Sequence, residues 1–297
     1  MSRTQLSKVL RDRGYVYQHT GRCLEELTDG PKRVIYHGIN PIDSLHARHL
    51  HAILAMRRFL EHGHKLIVLI AGGTWKLDHS EISVDENIKV IRAQIEQVLD
   101  SCDFFFLNSE EWLTELNYME FLTNIGKHFT ISTMLQRGTI RERLLQKSLT
   151  YTEFAYMTLQ AYDYLHLFLN YKCDVQLGAS DQWGNIASGV DLIRRKTGGI
   201  AHACTWPILI NTATGQKFGK NAIDSISLDA RQVSVPEFYR FWLAIRDDMV
   251  EQLLLKMTLL SEEEIAAIMS QHSRNPDKGL AQRALADAVT TLVHGNR

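Results

Sequence analysis

Three polar side chains recur at helical spacing near the middle of the chain. Tyr156, Gln160 and Asp163 are four and three residues apart, so a helix places all three on one face. A phenol, an amide and a carboxylate in one row suit the binding of an amine or a hydroxyl group. A solvated polar stripe is the alternative. Because Asp163 lies among tyrosines and leucines, and unpaired carboxylates are rarely buried, we predict a ligand-binding face.

A second polar group follows an apolar run. Gln176 lies in this run, Gly178 ends it, and Ser180, Asp181 and Gln182 open the helix that comes next. Free backbone N–H groups collect where a helix begins, and short polar side chains cap them. Ser180 or Asp181 has a possible role as the N-cap, and that role is compatible with contact to a ligand.

Cationic and imidazole groups mark two further places. Lys217 and Lys220 flank a glycine in a loop, where ammonium groups suit charge that develops on phosphate, although two loop lysines are more often only solvated. His46 and His49 stand at the start of a long helical pattern, with Arg48 between them. The histidines are not grouped with cysteines or carboxylates at ligand spacing, so we predict no metal site.

The elements that hold these residues alternate between strands and helices. Apolar runs predict strands at 33–38, 65–70, 104–107, 174–178 and 207–210, and helical periods predict helices at 44–61, 87–99, 153–170 and 180–195. Two strands joined by a helix of this length favour a parallel sheet covered by helices, with ligands beyond the carboxyl ends of the strands. Tyr36 and Gly38 from the first strand therefore converge with Gly72, Gly73 and Asp78 from the second.

The bulk composition excludes several classes of protein. The chain has 297 residues, 45% of them hydrophobic, and a net charge of −1. Such a balance gives no sign of a polyanion partner, and we expect no DNA binding. Four scattered cysteines, no signal peptide and no long uncharged apolar run predict a cytoplasmic protein with reduced thiols and no membrane segment.

Several of these segments together resemble the bacterial and organellar tyrosyl-tRNA synthetases, a class I family. The resemblance is strongest in LTYTEFAYMTLQAYDYLHL and QLGASDQWGNIASGVDLI, and it continues through KFGK and ALADAVTTLVHG. It implies an α/β fold with a Rossmann-like, doubly wound parallel sheet. We therefore expect N-terminal helices over 1–30, a catalytic domain over 31–220 with a helical connective insertion at about 110–150, and a C-terminal helical segment over 221–297. The insertion implies a homodimer.

The resemblance also implies a pocket for L-tyrosine or a close analogue. Tyr36 and Asp163 would hold the phenol hydroxyl, and Asp78, Tyr156 and Gln160 the ammonium group. Gln182 would approach the reacting carboxylate. Discrimination against phenylalanine follows, because unpaired polar groups are costly. The substrate-binding set is completed by Gly38, Asn108, Gln176 and Asp181.

The residues that match the family's nucleotide site depart from its pattern. The site would bind ATP with Mg²⁺. The catalytic residues would be His46, His49, Gln182, Lys217 and Lys220, and Gly178 and the same two lysines would bind the nucleotide. Arg48 replaces the glycine of the family's His-Ile-Gly-His signature, so a long cation is expected to collide with ATP in the usual pose. Arg48 also offers a cation to a phosphate in a shifted pose.

Further departures lie in the loops. Asn40 replaces an aspartate, and the loop before Ile42 is one residue shorter and lacks a threonine that would contact the γ-phosphate. The loop after Asp78 is shorter and acidic, and Asn221 ends the segment that begins at Lys217.

The sequence is compatible with three functional hypotheses. The first is an enzyme that activates tyrosine as an adenylate without efficient tRNA charging, because no S4-like module follows and a neutral core offers few phosphate contacts. The second is a tyrosine-binding paralogue that has lost catalysis and acts as a sensor or partner subunit. The third is the truncated core of a working ligase, since the chain stops where the family continues.

Overall fold

The fold is organised around one six-stranded sheet, as seen in a computed structural model that describes residues 4–42, 44–77, 84–101, 103–137, 140–141, 144, 148–212, 214–218 and 225–295. Its strands are β1 (Gln18–His19), β2 (Val34–Ile39), β3 (Lys65–Ile70), β4 (Phe105–Asn108), β5 (Cys173–Ala179) and β6 (His202–Trp206). Their order across the sheet is β1-β6-β5-β2-β3-β4. The short β1 pairs with β6 in antiparallel register, and all other pairs are parallel.

The chain runs outward from β2 in both directions. It passes from β2 to β3 and β4 on one side and returns to β5 and β6 on the other. The strand order therefore reverses between β2 and β5. In open α/β sheets a ligand binds in the crevice outside the carboxyl ends of the strands at such a point.

Helices occupy most of the remaining described chain. In the first half they are α1 (Leu6–Asp12), α2 (Leu24–Thr28), α3 (Ala47–Glu61), α4 (Gly72–Trp75), α5 (Asp85–Leu99), α6 (Glu110–Leu113), α7 (Tyr118–Asn124) and α8 (Ile131–Leu135). In the second half they are α9 (Tyr151–Tyr171), α10 (Trp183–Thr197), α11 (Val235–Leu243), α12 (Asp247–Met257), α13 (Glu262–His272) and α14 (Leu280–His294). Within the described ranges none of these helices has the length and apolarity that crossing a membrane requires.

The two faces of the sheet are buried against different helices. Alternate residues of β2 and β3, including Ile35 and Val68, pack with α3, α5 and the C-terminal helices in the larger core. Tyr36 and Ile67, which point the other way, pack with α9 and α10 in a second core. Because side chains alternate along a strand, this two-sided cover explains the nearly continuous apolar runs of the parallel strands.

Local signals fix the long helix that carries the polar row. The Thr150 hydroxyl accepts a hydrogen bond from the backbone N–H of Glu153 at 3.2 Å, and the Glu153 carboxylate accepts one from the backbone N–H of Thr150 at 2.9 Å. This capping box starts α9. The helix ends at Tyr171 and is capped by Lys172, which adopts a left-handed conformation with φ of 56°. The 21-residue helix thus positions three candidate residues on the sheet.

Most of the predicted elements are confirmed, including the parallel β2–α3–β3 unit and the α/β fold class. One strand prediction is wrong. The last parallel strand lies at His202–Trp206 rather than at 207–210. Pro207 has no backbone N–H to donate to a neighbouring strand, so pairing ends before it. The sequence of β6, HACTW, has neither a continuous nor an alternating apolar pattern, although all five residues are buried. For this reason the strand could not be predicted from its apolar residues.

Candidate active site

A cavity of about 800 Å³ opens at the carboxyl ends of β2 and β5, where the strand order reverses. Most of the residues predicted from the sequence line it. They are Tyr36, Gly38, His46, His49, Tyr156, Gln160, Asp163, Gln176, Gly178, Asp181, Gln182 and Lys217. The predicted contacts Asp78 and Lys220 lie outside the described residues. The fold therefore brings together side chains that are as much as 181 positions apart along the chain, from Tyr36 to Lys217.

Two buried polar groups lie side by side at the inner end of the cavity. Tyr36 and Gln176 are register partners in the β2–β5 pair, and they are 1% and 3% exposed. Neither the Tyr36 hydroxyl nor Gln176 Oε1 has a hydrogen-bond partner among the described residues. A buried polar atom without a partner costs free energy, so this pair is suited to a ligand that supplies the missing bonds.

Asp163 completes this inner end from α9. Its side chain is 3% exposed, and one oxygen accepts a hydrogen bond from the Trp112 indole N–H at 2.8 Å. Trp112 in turn stacks on His166, with ring centroids 4.2 Å apart. The indole thus holds one carboxylate oxygen in place. Because a carboxylate accepts up to four hydrogen bonds, capacity remains for a hydroxyl donor.

Burial changes the titration of this carboxyl. It raises the pKa of Asp163 from 3.8 to about 7, and the Trp112 hydrogen bond opposes the rise. Near neutral pH the group therefore takes up and loses a proton readily. Burial also raises the pKa of the Tyr36 phenol, with Asp163 adding to the effect, so the phenol stays a neutral donor.

We expect Asp163 to destabilise the ligand-free protein at alkaline pH. The folded-state pKa lies above the unfolded value, so the cost is absent below pH 4 and grows as pH rises to about 7. At 1.36 kcal/mol per pH unit, Asp163→Asn should stabilise the protein at pH 8 by up to about 4 kcal/mol. Urea unfolding of both proteins at pH 8 and pH 5 measures this. An equal difference at the two pH values would contradict it.

The polar row on α9 extends outward from Asp163. The Tyr156 hydroxyl accepts a hydrogen bond from the Thr74 hydroxyl at 3.4 Å, which links α9 to α4. Gln160 lies between Tyr156 and Asp163 on the same wall of the cavity. The spacing that suggested one face is therefore realised, with the carboxylate at the buried end and the phenol nearer the entrance.

Asn108 has a different position from the other candidates. It is not among the residues that line the cavity. Its Oδ1 atom accepts a hydrogen bond from the backbone N–H of Glu110 at 3.1 Å, and a Cβ atom added to Gly72 would overlap the Asn108 amide. In this structure Asn108 joins the turn after β4 to the turn after β3.

The wider end of the cavity carries a salt bridge. The Lys217 ammonium group donates to the Asp181 carboxylate at 2.8 Å, with both side chains partly exposed. Gln182 Oε1 accepts a hydrogen bond from the Asn185 amide at 3.2 Å. Lys217 thus lies near the start of α10, paired with Asp181. To bind another anion, it must leave Asp181, either by exchange of partners or by movement of its loop.

The two histidines at the start of α3 are linked to each other. The backbone N–H of His46 donates to His49 Nδ1 at 3.2 Å, and the rings meet edge to face with centroids 4.1 Å apart. Burial, followed by the charge of Arg48, lowers the pKa of His46 to about 4. Burial and the neighbouring His46 lower the pKa of His49 well below its ordinary value. Both rings are therefore neutral at pH 7.

The two glycines of the cavity wall have different environments. A Cβ atom on Gly178 would lie 2.7 Å from Ile186 Cδ1, so this glycine allows α10 to pack closely on β5. A Cβ atom on Gly38 would meet nothing within 4 Å. We expect Gly178→Ala to cost about 1–3 kcal/mol of unfolding free energy. Gly38→Ala is the matched control and should cost less than about 0.5 kcal/mol. Equal losses in thermal unfolding would contradict this assignment.

Two residues that shape the site, Trp112 and His51, had no signal in the sequence, whereas His37 was recognisable there as a polar residue whose contact with a ligand stayed open. Trp112 binds Asp163 across 51 positions, and no spacing in the sequence relates the two. His37 and His51 both line the cavity and pack against Trp206, with ring centroids 5.3 and 6.0 Å away. His37 Nδ1 lies 3.0 Å from the carbonyl of Leu177. The position of His37 near the carboxyl end of β2 was the one feature of the sequence that pointed to this group.

Candidate metal ligands do not gather in the part of the chain that the structure describes. No group of three or more histidine, cysteine, aspartate or glutamate side chains there is placed to hold a metal ion.

Comparison with known proteins gives consistent results. The family model described as tRNA synthetases class I (W and Y) matches residues 29–297. The tyrosine–tRNA ligase of Anaeromyxobacter dehalogenans strain 2CP-1 is 38% identical over 305 residues, which cover 98% of this chain and 72% of the relative. Tyrosine–tRNA ligase 2 of Enterococcus faecalis is 40% identical over 303 residues, covering 96% of this chain and 72% of the relative.

Solved structures share the fold at lower identity. A C-terminally truncated mitochondrial tyrosyl-tRNA synthetase from Aspergillus nidulans superposes with a TM-score of 0.85 at 24% identity, covering 99% of this chain and 91% of the other. A tyrosyl-tRNA synthetase from Archaeoglobus fulgidus, solved with L-tyrosine, gives a TM-score of 0.74 at 16% identity, covering 98% of both chains. These likenesses establish the fold.

Proposed function

We propose that this chain, which belongs to the family of class I tRNA synthetases for tryptophan and tyrosine, binds L-tyrosine and activates it with ATP. The similar relatives named above are tyrosine–tRNA ligases. One observation carries the choice of amino acid. The Tyr36 hydroxyl, which has no hydrogen-bond partner in the described part of the chain, and the Asp163 carboxylate both line the inner end of one cavity. A phenol hydroxyl placed there would accept a hydrogen bond from Tyr36 and donate one to Asp163.

The rest of the amino acid would lie along α9 toward the wide end. Tyr156 and Gln160, together with Asp78, would bind the ammonium group. Gln182 and the start of α10 would face the carboxylate, with Gln176 and Asp181 beside it. A small residue at Gly38 leaves open space in which the ligand passes close to the β2 backbone.

The proposed reaction joins the tyrosine carboxylate to the α-phosphate of ATP. A carboxylate oxygen would attack phosphorus, the bond to the bridging oxygen would break, and pyrophosphate would leave. Mg²⁺ would balance part of the phosphate charge. Lys217 and Lys220 would stabilise the charge that develops on the phosphates. Neutral His46 and His49 would donate hydrogen bonds at the head of α3, and Gly178 would let the nucleotide approach the sheet. The ion would enter with the nucleotide.

Tyrosine-dependent exchange of labelled pyrophosphate into ATP tests this proposal. We expect exchange with tyrosine and none with phenylalanine. Absence of exchange alongside tight binding of tyrosine would instead identify a non-catalytic tyrosine-binding protein, a role that the cation of Arg48 at the head of α3 would favour. Absence of both would reject the proposal.

We further propose that transfer of tyrosine to tRNA is inefficient for this chain alone. Its net charge of −1 supports weak affinity for RNA, because such affinity grows with the number of phosphate contacts. An aminoacylation assay with tRNA specific for tyrosine, compared with the exchange rate, tests this. Charging as fast as exchange would identify a working tyrosine–tRNA ligase core.

A homodimer in the cytoplasm is also part of the proposal. Large apolar side chains are exposed on α7, α8 and the start of α9, including Met119 and Ile131 at 66% each and Tyr151 at 63%. The hydroxyls of Tyr118 on α7 and Tyr151 on α9 are 3.2 Å apart, and a cluster of exposed apolar side chains commonly marks a protein contact. Sedimentation of the whole chain measures the oligomeric state.

A further inference from the structure

The side chain that orients Asp163 belongs to a very short helix. Trp112 lies on α6, which has four residues, and its indole N–H donates to Asp163 at 2.8 Å. Within the described ranges this is the one hydrogen bond that the carboxylate accepts. The direction of the remaining lone pairs of Asp163 therefore depends on where the indole ring is held.

The backbone of α6 is held by contacts with α4. A helix of one turn has little stability of its own, so its tertiary contacts decide its position. The backbone N–H of Gly73 donates to the Ser109 hydroxyl at 3.2 Å, and a Cβ atom on Gly73 would lie 2.7 Å from Leu113 Cδ1. These contacts place the backbone of α6 but do not fix the plane of the Trp112 ring. What packs on that ring must do so.

His166 packs on the face of the Trp112 ring. The imidazole and the indole are almost parallel, with centroids 4.2 Å apart and an angle of 10° between the ring planes. His166 follows Asp163 by three residues on α9, so one turn of this helix supplies both groups that hold the indole. The carboxylate binds the ring edge through the N–H, and the imidazole covers one face.

The surroundings of His166 keep its own ring in place. The rings of Tyr162 and Tyr171, also on α9, have centroids 6.5 and 6.4 Å from the imidazole centroid. Burial lowers the pKa of His166, so the ring is neutral at pH 7. No hydrogen bond joins its ring nitrogens to another described residue. The ring therefore acts on the indole through packing.

The two stacked rings lie behind the cavity wall. Asp163 lines the cavity, whereas Trp112 and His166 are not among its lining residues. Trp112 is 8% exposed and belongs to the core on this side of the sheet. An effect of His166 on a ligand in the cavity must therefore pass through Trp112 and Asp163.

We propose that His166 is a positioning residue for the choice of amino acid. By stacking on Trp112 it keeps the indole N–H on Asp163, so that the other carboxylate oxygen is directed at the hydroxyl of tyrosine. This inference rests on the proposed function, because the group whose binding it controls is the phenol hydroxyl of the substrate. Stacked rings hold each other in a defined plane, and a hydrogen bond weakens steeply as its angle departs from linear. Loss of the stack should therefore reduce the preference for tyrosine over phenylalanine.

Calorimetric titration of the whole chain with L-tyrosine and L-phenylalanine tests this role. His166→Leu removes the aromatic ring and keeps an apolar side chain, and His166→Phe restores a ring that can stack. His62→Leu is the matched control, because His62 is a partly buried histidine at the far end of α3 and does not line the cavity. Circular dichroism checks that each protein is folded.

The indole N–H resonance of Trp112 separates positioning from a purely structural role. It is measured by NMR in the isotope-labelled protein without ligand, and its loss in Trp112→Phe assigns it among the five tryptophans. A hydrogen bond to a carboxylate moves such a resonance downfield and slows its exchange with solvent. The resonance thus reports whether the indole is on Asp163.

We expect His166→Leu to weaken tyrosine binding by about tenfold and phenylalanine binding by less than about twofold, with the Trp112 resonance moved upfield. His166→Phe should remain within about threefold of the wild type for both amino acids, because its ring can take the place of the imidazole. His62→Leu should change neither the affinities nor the resonance.

Equal changes in the two affinities of His166→Leu, no change in either, or an unchanged Trp112 resonance would overturn the proposal. So would a His166→Phe protein that behaves like His166→Leu. Failure of the wild type to bind tyrosine would instead reject the proposed function. The Trp112 resonance would then still show whether His166 holds the indole on Asp163.

Discussion

Replacing Asp163 with asparagine is expected to weaken the binding of L-tyrosine by about a hundredfold or more, while the binding of phenylalanine changes little. The carboxylate is the buried acceptor proposed for the phenol hydroxyl, and a charged acceptor contributes more than a neutral one. Asparagine keeps the size of the side chain and can still accept from Trp112, so the fold should be retained. Calorimetric titration with both amino acids measures the ratio of affinities.

Tyr36→Phe provides the comparison. It removes a neutral hydroxyl from the same inner end, so a loss of about tenfold in tyrosine affinity is expected, smaller than that of Asp163→Asn. The carboxylate should also lose its effect when protonated. Because the pKa of Asp163 is about 7, tyrosine affinity in the wild type should fall between pH 8 and pH 6. Equal losses of tyrosine and phenylalanine affinity in Asp163→Asn would show that the carboxylate does not bind the hydroxyl.

Replacing Lys217 with methionine is expected to reduce tyrosine-dependent pyrophosphate exchange by about a hundredfold, with tyrosine affinity unchanged. The side chain would stabilise charge on the phosphates as they separate, whereas the proposed position of the amino acid is the other end of the cavity. In the structure Lys217 is paired with Asp181 at 2.8 Å. The lysine must therefore exchange one anion for another during the reaction.

Asp181→Asn separates the two interactions of Lys217, its salt bridge with Asp181 and its proposed contact with the phosphates. Removing the carboxylate frees Lys217, so the KM for ATP should fall or stay constant. A change in kcat is expected only if Asp181 also contacts tyrosine. Combining both substitutions should give no further loss beyond Lys217→Met if the pair acts as a unit. A Lys217→Met protein with undiminished exchange would exclude this lysine from the reaction.

The hydrophobic pattern of the sequence correctly predicts the strands and helices that position the site residues, with β6 as the exception. β3 lies at Lys65–Ile70, as the apolar run indicated, and α9 at Tyr151–Tyr171 extends the predicted helix by two residues at its start and one at its end. These elements have strong periodic signals or a capping box that act locally. The row of Tyr156, Gln160 and Asp163 could be assigned to one face because helical geometry fixes it.

The contacts between distant elements could not be predicted in this way. The Trp112–Asp163 hydrogen bond and the stacking on His166 depend on how α6 meets α9. The salt bridge of Lys217 with Asp181 depends on a loop placed by the whole sheet. The strand at His202–Trp206 carries histidine, cysteine and threonine, so burial on both faces was not evident from its composition. Tertiary context decides these cases.

The polar residues at the inner end of the cavity, Asp163 and Tyr36, lower the stability of the fold. Leucine or phenylalanine at the positions of Asp163 and Tyr36 would satisfy the apolar core around them at lower cost. Retaining a buried carboxyl whose pKa is raised to about 7, and a buried hydroxyl that has no partner among the described residues, reduces folding stability. Such a cost at adjoining positions of one cavity is typical of a binding site.

A crystal structure of the chain with L-tyrosine would show directly whether Tyr36 and Asp163 bind the phenol hydroxyl. We expect the phenol oxygen within about 2.5–3.0 Å of both the Tyr36 hydroxyl and an oxygen of Asp163, with the amino acid extending along α9 toward Gln182. A tyrosine ring bound elsewhere in the cavity, or a phenol oxygen in contact with neither side chain, would contradict it.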